Sequence, residues 1–263
     1  MTPLAARLRQ VSSGLSLDAL GSAPLITEAD LGEVFGHPRA GTQKLLGFYT
    51  AEGLEYALEA YGLLPLVRRL GYGELTVKLE KAGTADRARL EGKDTRDQSS
   101  VVLVELEVER KSLAGGSFLF VNWLSLRNPR DRFKPQRPQL PGQEVPGLGL
   151  AREMSQMLTL MARRLVLDGV AFRPSWYHMA FAARHTARFV SPARQGRFLA
   201  LVRDVAHLPL LEVTHALADG RVRLNGQPYN WEPDEMVTWL NPAHDSADAA
   251  AIGEELLRSR FTL

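Results

Sequence analysis

Four strand-like stretches follow one another between Leu75 and Leu126, and this run narrows the fold more than anything else in the chain. Leu75-Thr76-Val77-Lys78-Leu79 alternates apolar with polar, and Arg87-Ala88-Arg89-Leu90 does so more weakly. Val101–Arg110 alternates strongly. A period of two sets Val102, Val104, Leu106 and Val108 on one face and Glu105, Glu107 and Glu109 on the other. Ala114-Gly115-Gly116-Ser117 reads as a hairpin turn, and Phe118–Leu126, the most apolar stretch, reads as a central strand.

After these strands the pattern changes. Residues 128–146 form a loop rich in Pro, Arg and Gln, long enough to imply either function or disorder. Pro146-Gly147-Leu148-Gly149-Leu150 then turns into a helix expected to reach Leu167. Its apolar side carries Met154, Met157, Leu158, Met161 and Leu165. A short strand at Val170–Phe172, a helix at Trp176–His185 and a strand at Arg188–Val190 follow. Beyond them come helices at Pro192–Val205, Leu210–Ala218 and Ala247–Arg258, with an Asn225-Gly226 turn signal between the last two. Upstream, the spacing predicts helices over Thr27–Phe35, from Thr50 to Gly62, and over Leu64–Leu70. The expected class is therefore α+β, a mixed sheet flanked by helices. An N-terminal helical segment (1–73), a core (74–191) and a C-terminal helical extension (192–263) make up the chain.

The bulk composition excludes whole classes of chemistry. The chain has 263 residues and no cysteine, which removes disulfides, thiolate catalysis and cysteine-bound metals. A cysteine-free chain fits a reducing cytoplasm. Arg7 and Arg9 stand in a leader without an apolar run, so a secretory signal is not expected. No run approaches the length that spans a bilayer. Net charge is only +2, but Arg127, Arg130, Arg132, Lys134 and Arg137 crowd into one stretch that suits phosphates, nucleic acid or an acidic partner.

A glycine turn that opens a helix presents backbone N–H groups and the positive end of the helix dipole, which together hold anions. Gly147, Leu148, Gly149 and Leu150 supply such amides, with Gln143 and Arg152 beside them in sequence. His178 and His185, seven residues apart, project from one helical face and have the side chain best suited to proton transfer near neutrality. As a metal site the pair lacks a third ligand. Glu105, Glu107 and Glu109 are expected to be a solvated face with arginine partners across the strands. Trp123, Trp176, Trp231 and Trp239 are expected in the core. No Gly-x-Ser-x-Gly elbow, phosphate-binding Walker loop or His-Glu-x-x-His motif occurs.

The order strand–strand–strand–strand–glycine turn–helix–strand–helix–strand over residues 74–191 resembles the GNAT (Gcn5-related) N-acetyltransferases. That family has a Gln/Arg-x-x-Gly-x-Gly/Ala loop after its fourth strand. Gln143-Glu144-Val145-Pro146-Gly147-Leu148-Gly149 matches it in both glycines, with Gln143 one residue too distant. With Ala180 and Phe189 aligned to the next helix motif, Tyr177 replaces an asparagine, Arg184 a tyrosine and Arg188 a glycine. The resemblance implies acyl transfer from acetyl-coenzyme A or another acyl-coenzyme A to an amine, without a metal. In it Gln143, Gly147, Leu148, Gly149, Leu150 and Arg152 bind the pyrophosphate. A backbone carbonyl after Trp123 orients the thioester, Tyr177 or His178 relays protons, and Arg184 stabilises charge. The competing reading is a catalytically inactive protein of the same fold that contacts nucleic acid or an acidic partner through residues 127–137. A third is a module that binds only protein.

Overall fold

The structure, a computed structural model, describes residues 43–245 and 247–263. The helix expected over Thr27–Phe35 lies outside them. Thr50 caps helix α1 (Ala51–Ala60), its Oγ accepting from Gly53 N–H at 3.0 Å. Gly62, at φ 81°, turns the chain at once into α2 (Leu63–Arg69), and both helices pack on strand β1 (Tyr72–Ala82).

The strand signals of the sequence become β1, β2 (Ala85–Asp94), β3 (Ser100–Leu113) and β4 (Gly116–Leu126), with β1–β2 and β2–β3 antiparallel. Strand β2 runs to ten residues, well beyond Arg87–Leu90. Its polar residues do not break it, because Arg87 and Arg89 pair with glutamates of its neighbours. The face assignment of β3 needs correction. Leu90 lies opposite Val104 and Glu91 opposite Val102, so Leu103 is an extra, bulged residue. A bulge moves the following side chains to the other face. Leu106, Val108 and Leu103 are therefore buried while Val102 and Val104 are only half-buried. The β3–β4 turn places Ala114 and Gly115 at φ 50° and 80°, the two positive values of a type I′ turn.

Helix α3 (Ala151–Arg164) is shorter than the sequence predicts. Gly149, at φ 76°, holds its start back. At its end Leu167 N–H donates to Ala162 O and Val166 N–H to Arg163 O, a Schellman closure with Val166 at φ 55°. Strand β5 (Gly169–Phe172) follows, then α4 (Tyr177–Ala183), β6 (Arg188–Phe189), α5 (Pro192–Asp204) and α6 (Leu210–Ala218). The chain continues through β7 (Arg223–Leu224), β8 (Gln227–Pro228), β9 (Met236–Trp239), α7 (Ala249–Arg258) and β10 (Phe261–Thr262). Asn225-Gly226 joins β7 to β8 as expected.

The protein is α+β. Its large sheet has the order β1-β2-β3-β4-β5-β9-β6, and a small one has the order β10-β7-β8. Strand β5 is parallel to β4 and antiparallel to β9, which enters the sheet between β5 and β6. No sequence signal marked β9. Two compact units divide the described residues. One takes those up to Arg110 with Asn122–Arg130 and Gly147–Leu160; the other takes Lys111–Val121, Asp131–Pro146 and Met161–Leu263. In the second unit Tyr177, Phe189, Phe198, Leu201, Ala216 and Met236 form the centre of one apolar cluster. There α5 and α7 meet at Gly196, where an added Cβ would stand 2.6 Å from Ile252 O.

Val166 is the strained position of the fold. A β-branched residue at positive φ costs about 1–2 kcal/mol, and at 90% exposure its side chain gains little burial in return. Replacing Val166 by Gly is expected to raise unfolding stability by about 1 kcal/mol, net of the extra chain entropy of glycine. Urea titration of the two proteins checks this, and an unchanged or lower midpoint contradicts it.

Candidate functional site

In the first unit the glycine turn adjoins the end of β4. Pairing between β4 and β5 covers Phe118–Val121 with Gly169–Phe172 and stops there, while β4 runs on to Leu126. At the point of departure two consecutive residues, Asn122 and Trp123, are exposed, which breaks the alternation of a paired strand. Trp123 is 54% exposed, so its expected place in the core is corrected. The only warning in the sequence was that the apolar run of β4 is much longer than that of β5.

Gly147 lies against this run-on. An added Cβ there would stand 3.2 Å from Leu126 O, so the position favours glycine for close approach. Gly149 has a different reason: it is left-handed, and space around it is open to at least 4 Å. Leu148 and Leu150 are buried and anchor the turn between the two glycines. The first helical hydrogen bond of α3 runs from Met154 N–H to Leu150 O, so Ala151, Arg152 and Glu153 form its first turn. Arg152 is exposed. Glu153 is buried, and its carboxylate adds negative charge at the end of the helix that attracts anions.

Gln143 belongs to the second unit. Its Oε1 accepts from Leu140 N–H at 3.1 Å, and its carbonyl accepts from Gln139 Nε2 at 2.5 Å, which closes a turn. That turn is docked: an added Cβ on Gly142 would stand 2.3 Å from Trp176 Nε1, and His215 Nε2 lies 3.2 Å from Gln139 O. The structure thus brings Gly147, Leu148, Gly149, Leu150 and Arg152 together and engages Gln143 elsewhere.

The proton-relay residues fall in the second unit. Tyr177 is buried among Phe181, Phe198 and Trp231, with ring centroids 5.7, 6.2 and 5.7 Å away. Burial pushes its phenol well above the ordinary tyrosine range, so it keeps its proton near neutrality. Arg184 follows α4 directly. It donates from Nη1 to Phe181 O at 2.7 Å and lies 3.7 Å over the Phe181 ring, a helix-ending contact. His185 is exposed. His178 differs from all of these. It is half-buried, its Nδ1 is shielded from solvent without a hydrogen-bond partner, and burial lowers its pKa. A neutral imidazole with an unsatisfied nitrogen is able to take up a proton.

The charged surfaces resolve into structure. Arg87 binds Glu80 and Glu107 at 2.9 Å each, and Arg89 binds Glu105 at 3.0 Å, the cross-strand ladder expected of the glutamate face. In the basic stretch, Arg130 Nη1 donates to Gly71 O at 2.5 Å, to Asp94 Oδ1 at 3.1 Å and to Thr95 Oγ at 3.1 Å, locking it in the first unit. Lys134 pairs with Asp131 at 3.3 Å, while Arg132 and Arg137 remain exposed. Among the described residues no group of three His, Cys, Asp or Glu could hold a metal ion, and no helix is long and apolar enough to cross a membrane. No family model, curated protein or solved structure matches the chain.

Asp94 carries the clearest pH dependence. Hydrogen bonds from the Arg96 side chain and backbone, with Arg130 nearby, hold its carboxyl down at about 2. A carboxyl depressed by folding contributes stability above its unfolded pKa of about 3.9 and loses it as pH falls toward the folded value. Asp94→Asn is therefore expected to flatten the decline of stability between about pH 4 and pH 2. Thermal melts across that range test it, and an acid limb identical to wild type contradicts it.

Proposed function

We propose that the protein transfers an acyl group from an acyl-coenzyme A to a small amine. One observation carries this reading: β4 leaves its parallel partner after four residue pairs and runs on into a glycine turn that opens α3. Ligands of sheets with parallel strands lie at the carboxyl ends of those strands. A strand edge that has lost its partner offers peptide groups to an extended ligand, and amides at a helix start suit a pyrophosphate. Both features lie in the same unit, with Gly147 against Leu126 O.

In this reading the amides of Gly147 to Leu150 and the guanidinium of Arg152 bind the pyrophosphate, and peptide groups of Asn122–Leu126 orient the thioester. The amine attacks the thioester carbonyl, a C–N bond forms, the C–S bond breaks and the thiolate leaves. No covalent intermediate on the protein is required, so a chain without cysteine suffices; positioning and polarisation of the carbonyl supply most of the acceleration. His178 takes the proton lost by the amine. Tyr177 supports the helix that carries His178, and Arg184 ends that helix. Glu153 weakens the hold on a polyanion, which favours affinity in the ordinary substrate range over very tight binding.

Calorimetric titration with acetyl-coenzyme A tests the reading. Wild type is expected to bind with a dissociation constant of about 1 µM to 1 mM. Gly149→Asp, which places a side chain and a negative charge at a left-handed position, is expected to lose the signal. Absence of heat with wild type up to millimolar ligand sinks the reading. Once an acceptor is found, kcat/KM is expected to fall only below the ordinary histidine pKa of about 6.5, because burial lowers that of His178. His178→Gln should remove this limb.

The competing reading, a catalytically inactive protein that binds nucleic acid or an acidic partner, draws support from the packing roles of Tyr177 and Arg184. The commitment of Arg130 and Lys134 to neighbouring groups reduces the charge it has to offer. Binding to RNA or DNA that weakens steeply with salt, together with silence toward acetyl-coenzyme A, would favour it.

A further inference from the structure

Three charged side chains converge just past the carboxyl end of β5, in the second unit. Arg173 follows Phe172, the last strand residue, and Glu235 precedes Met236; the pairing of Phe172 with Met236 sets the two opposite each other. Lys111, far away in sequence on β3, reaches the same carboxylate. Glu235 Oε1 accepts from Lys111 Nζ at 2.8 Å and from Arg173 Nη2 at 3.1 Å. The backbone beneath is fixed, because Glu235 O accepts from Val190 N–H at 2.9 Å and Glu235 N–H donates to Asp234 Oδ1 at 2.8 Å. Pro174 O accepts from Trp231 Nε1 at 3.1 Å, which holds the other side.

Two cations on one carboxylate leave a surplus positive charge. The face of the Phe120 ring, 4.3 Å from Lys111 Nζ, offsets part of it, while the Asp234 carboxylate is turned to a backbone N–H. A purely structural ion pair needs one cation, and a second of like charge at the same oxygen is repelled by the first unless another anion joins. Glu235 is 19% exposed and Arg173 52%, so one end of the cluster is shielded while the guanidinium still presents donors to solvent. A planar guanidinium fork matches a carboxylate with two parallel hydrogen bonds.

We infer that Lys111, Arg173 and Glu235 form a recognition site for the carboxylate of a small organic ligand. Arg173 and Lys111 bind it, and Glu235 sets their geometry while limiting affinity. On the acyltransfer reading, and resting on it, that carboxylate belongs to the amine that accepts the acyl group, which makes the acceptor amino-acid-like.

The test uses the full chain at constant ionic strength and a matched pair of probes, benzoate and benzamide, followed by calorimetry and thermal shift. Benzoate is expected to bind and raise the melting temperature, and benzamide to do neither. Arg173→Met and Lys111→Met should each weaken benzoate by about tenfold, the loss of one charge-assisted contact. Glu235→Gln removes the competing carboxylate and should tighten benzoate by a similar factor, a gain that a merely structural ion pair would not give. Equal behaviour of the two probes, benzoate binding unchanged in Arg173→Met, or no gain in Glu235→Gln overturns the site. None of these measurements involves coenzyme A. Benzoate binding that survives while acetyl-coenzyme A fails to bind would sink the acyltransfer reading and leave the carboxylate site standing.

Discussion

The architecture of the second unit depends on how β5 is held. A four-residue strand is too short to secure itself, and Asp168, immediately before it, ties three strands at once. Asp168 N–H donates to Ser117 O at 2.7 Å, its Oδ2 accepts from Ser117 N–H at 2.8 Å, and its carbonyl accepts from Leu240 N–H at 2.8 Å. These bonds lock the start of β5 to the strands on both sides, β4 and β9. Gly169 is equally constrained: an added Cβ would stand 2.2 Å from Thr238 O and 2.8 Å from the Phe118 ring. With that end fixed, the parallel register of Phe118 on Gly169 follows, and the two strands part at the other end. A parallel pair also demands a crossover, which α3 provides.

Much of this was legible in the sequence where period and turn chemistry spoke together. The strand signals between Leu75 and Leu126, the glycines of the β3–β4 turn, Asn225-Gly226 and the helices from Pro192 onward all appear where local preference agrees with the final fold. The failures have specific causes. A single bulged residue, Leu103, exchanged the faces of half a strand, and alternation alone gives no warning of a bulge. Strand β2 was underestimated because its arginines, polar by composition, are satisfied by glutamates on neighbouring strands. Strand β9 has only four residues, and its place is set by β5 and β6, which lie elsewhere in the sequence.

The candidate site was legible only in its backbone. Glycines declare their conformational needs locally, so Gly147 and Gly149 could be singled out, and each has a distinct reason to be glycine. Side-chain roles depend on distant partners. Tyr177 and Arg184 stood at suggestive spacings, yet an aromatic cluster assembled from positions 177 to 231 takes up the first and a helix end the second. Lys111 and Glu235 are 124 positions apart, so no spacing rule could have joined them.

What links the site residues of the second unit to its core is a buried cation. Arg194, near the start of α5, is buried with its guanidinium 4.7 Å from the Trp231 ring and 5.5 Å from that of Phe189. It donates to Tyr229 Oη at 2.7 Å and to Glu232 O, and its Nε has no partner. No carboxylate is among its hydrogen-bond partners, so ring faces and neutral oxygens must offset the cost of taking it out of water. That cost is tolerable only because the guanidinium ties the first turn of α5 to residues 229–232, the segment that leads into Glu235 and β9. The neighbouring Gln195 holds Phe189 N–H at 2.9 Å and so fixes β6 from the same turn. A lysine at position 194 could not reproduce this, since one ammonium lacks both the planar face and the forked donors. The long insertion between β6 and β9 is thus no loose appendage. Its first helix and last residues are clamped together, and the clamp positions the carboxylate around which Lys111 and Arg173 converge.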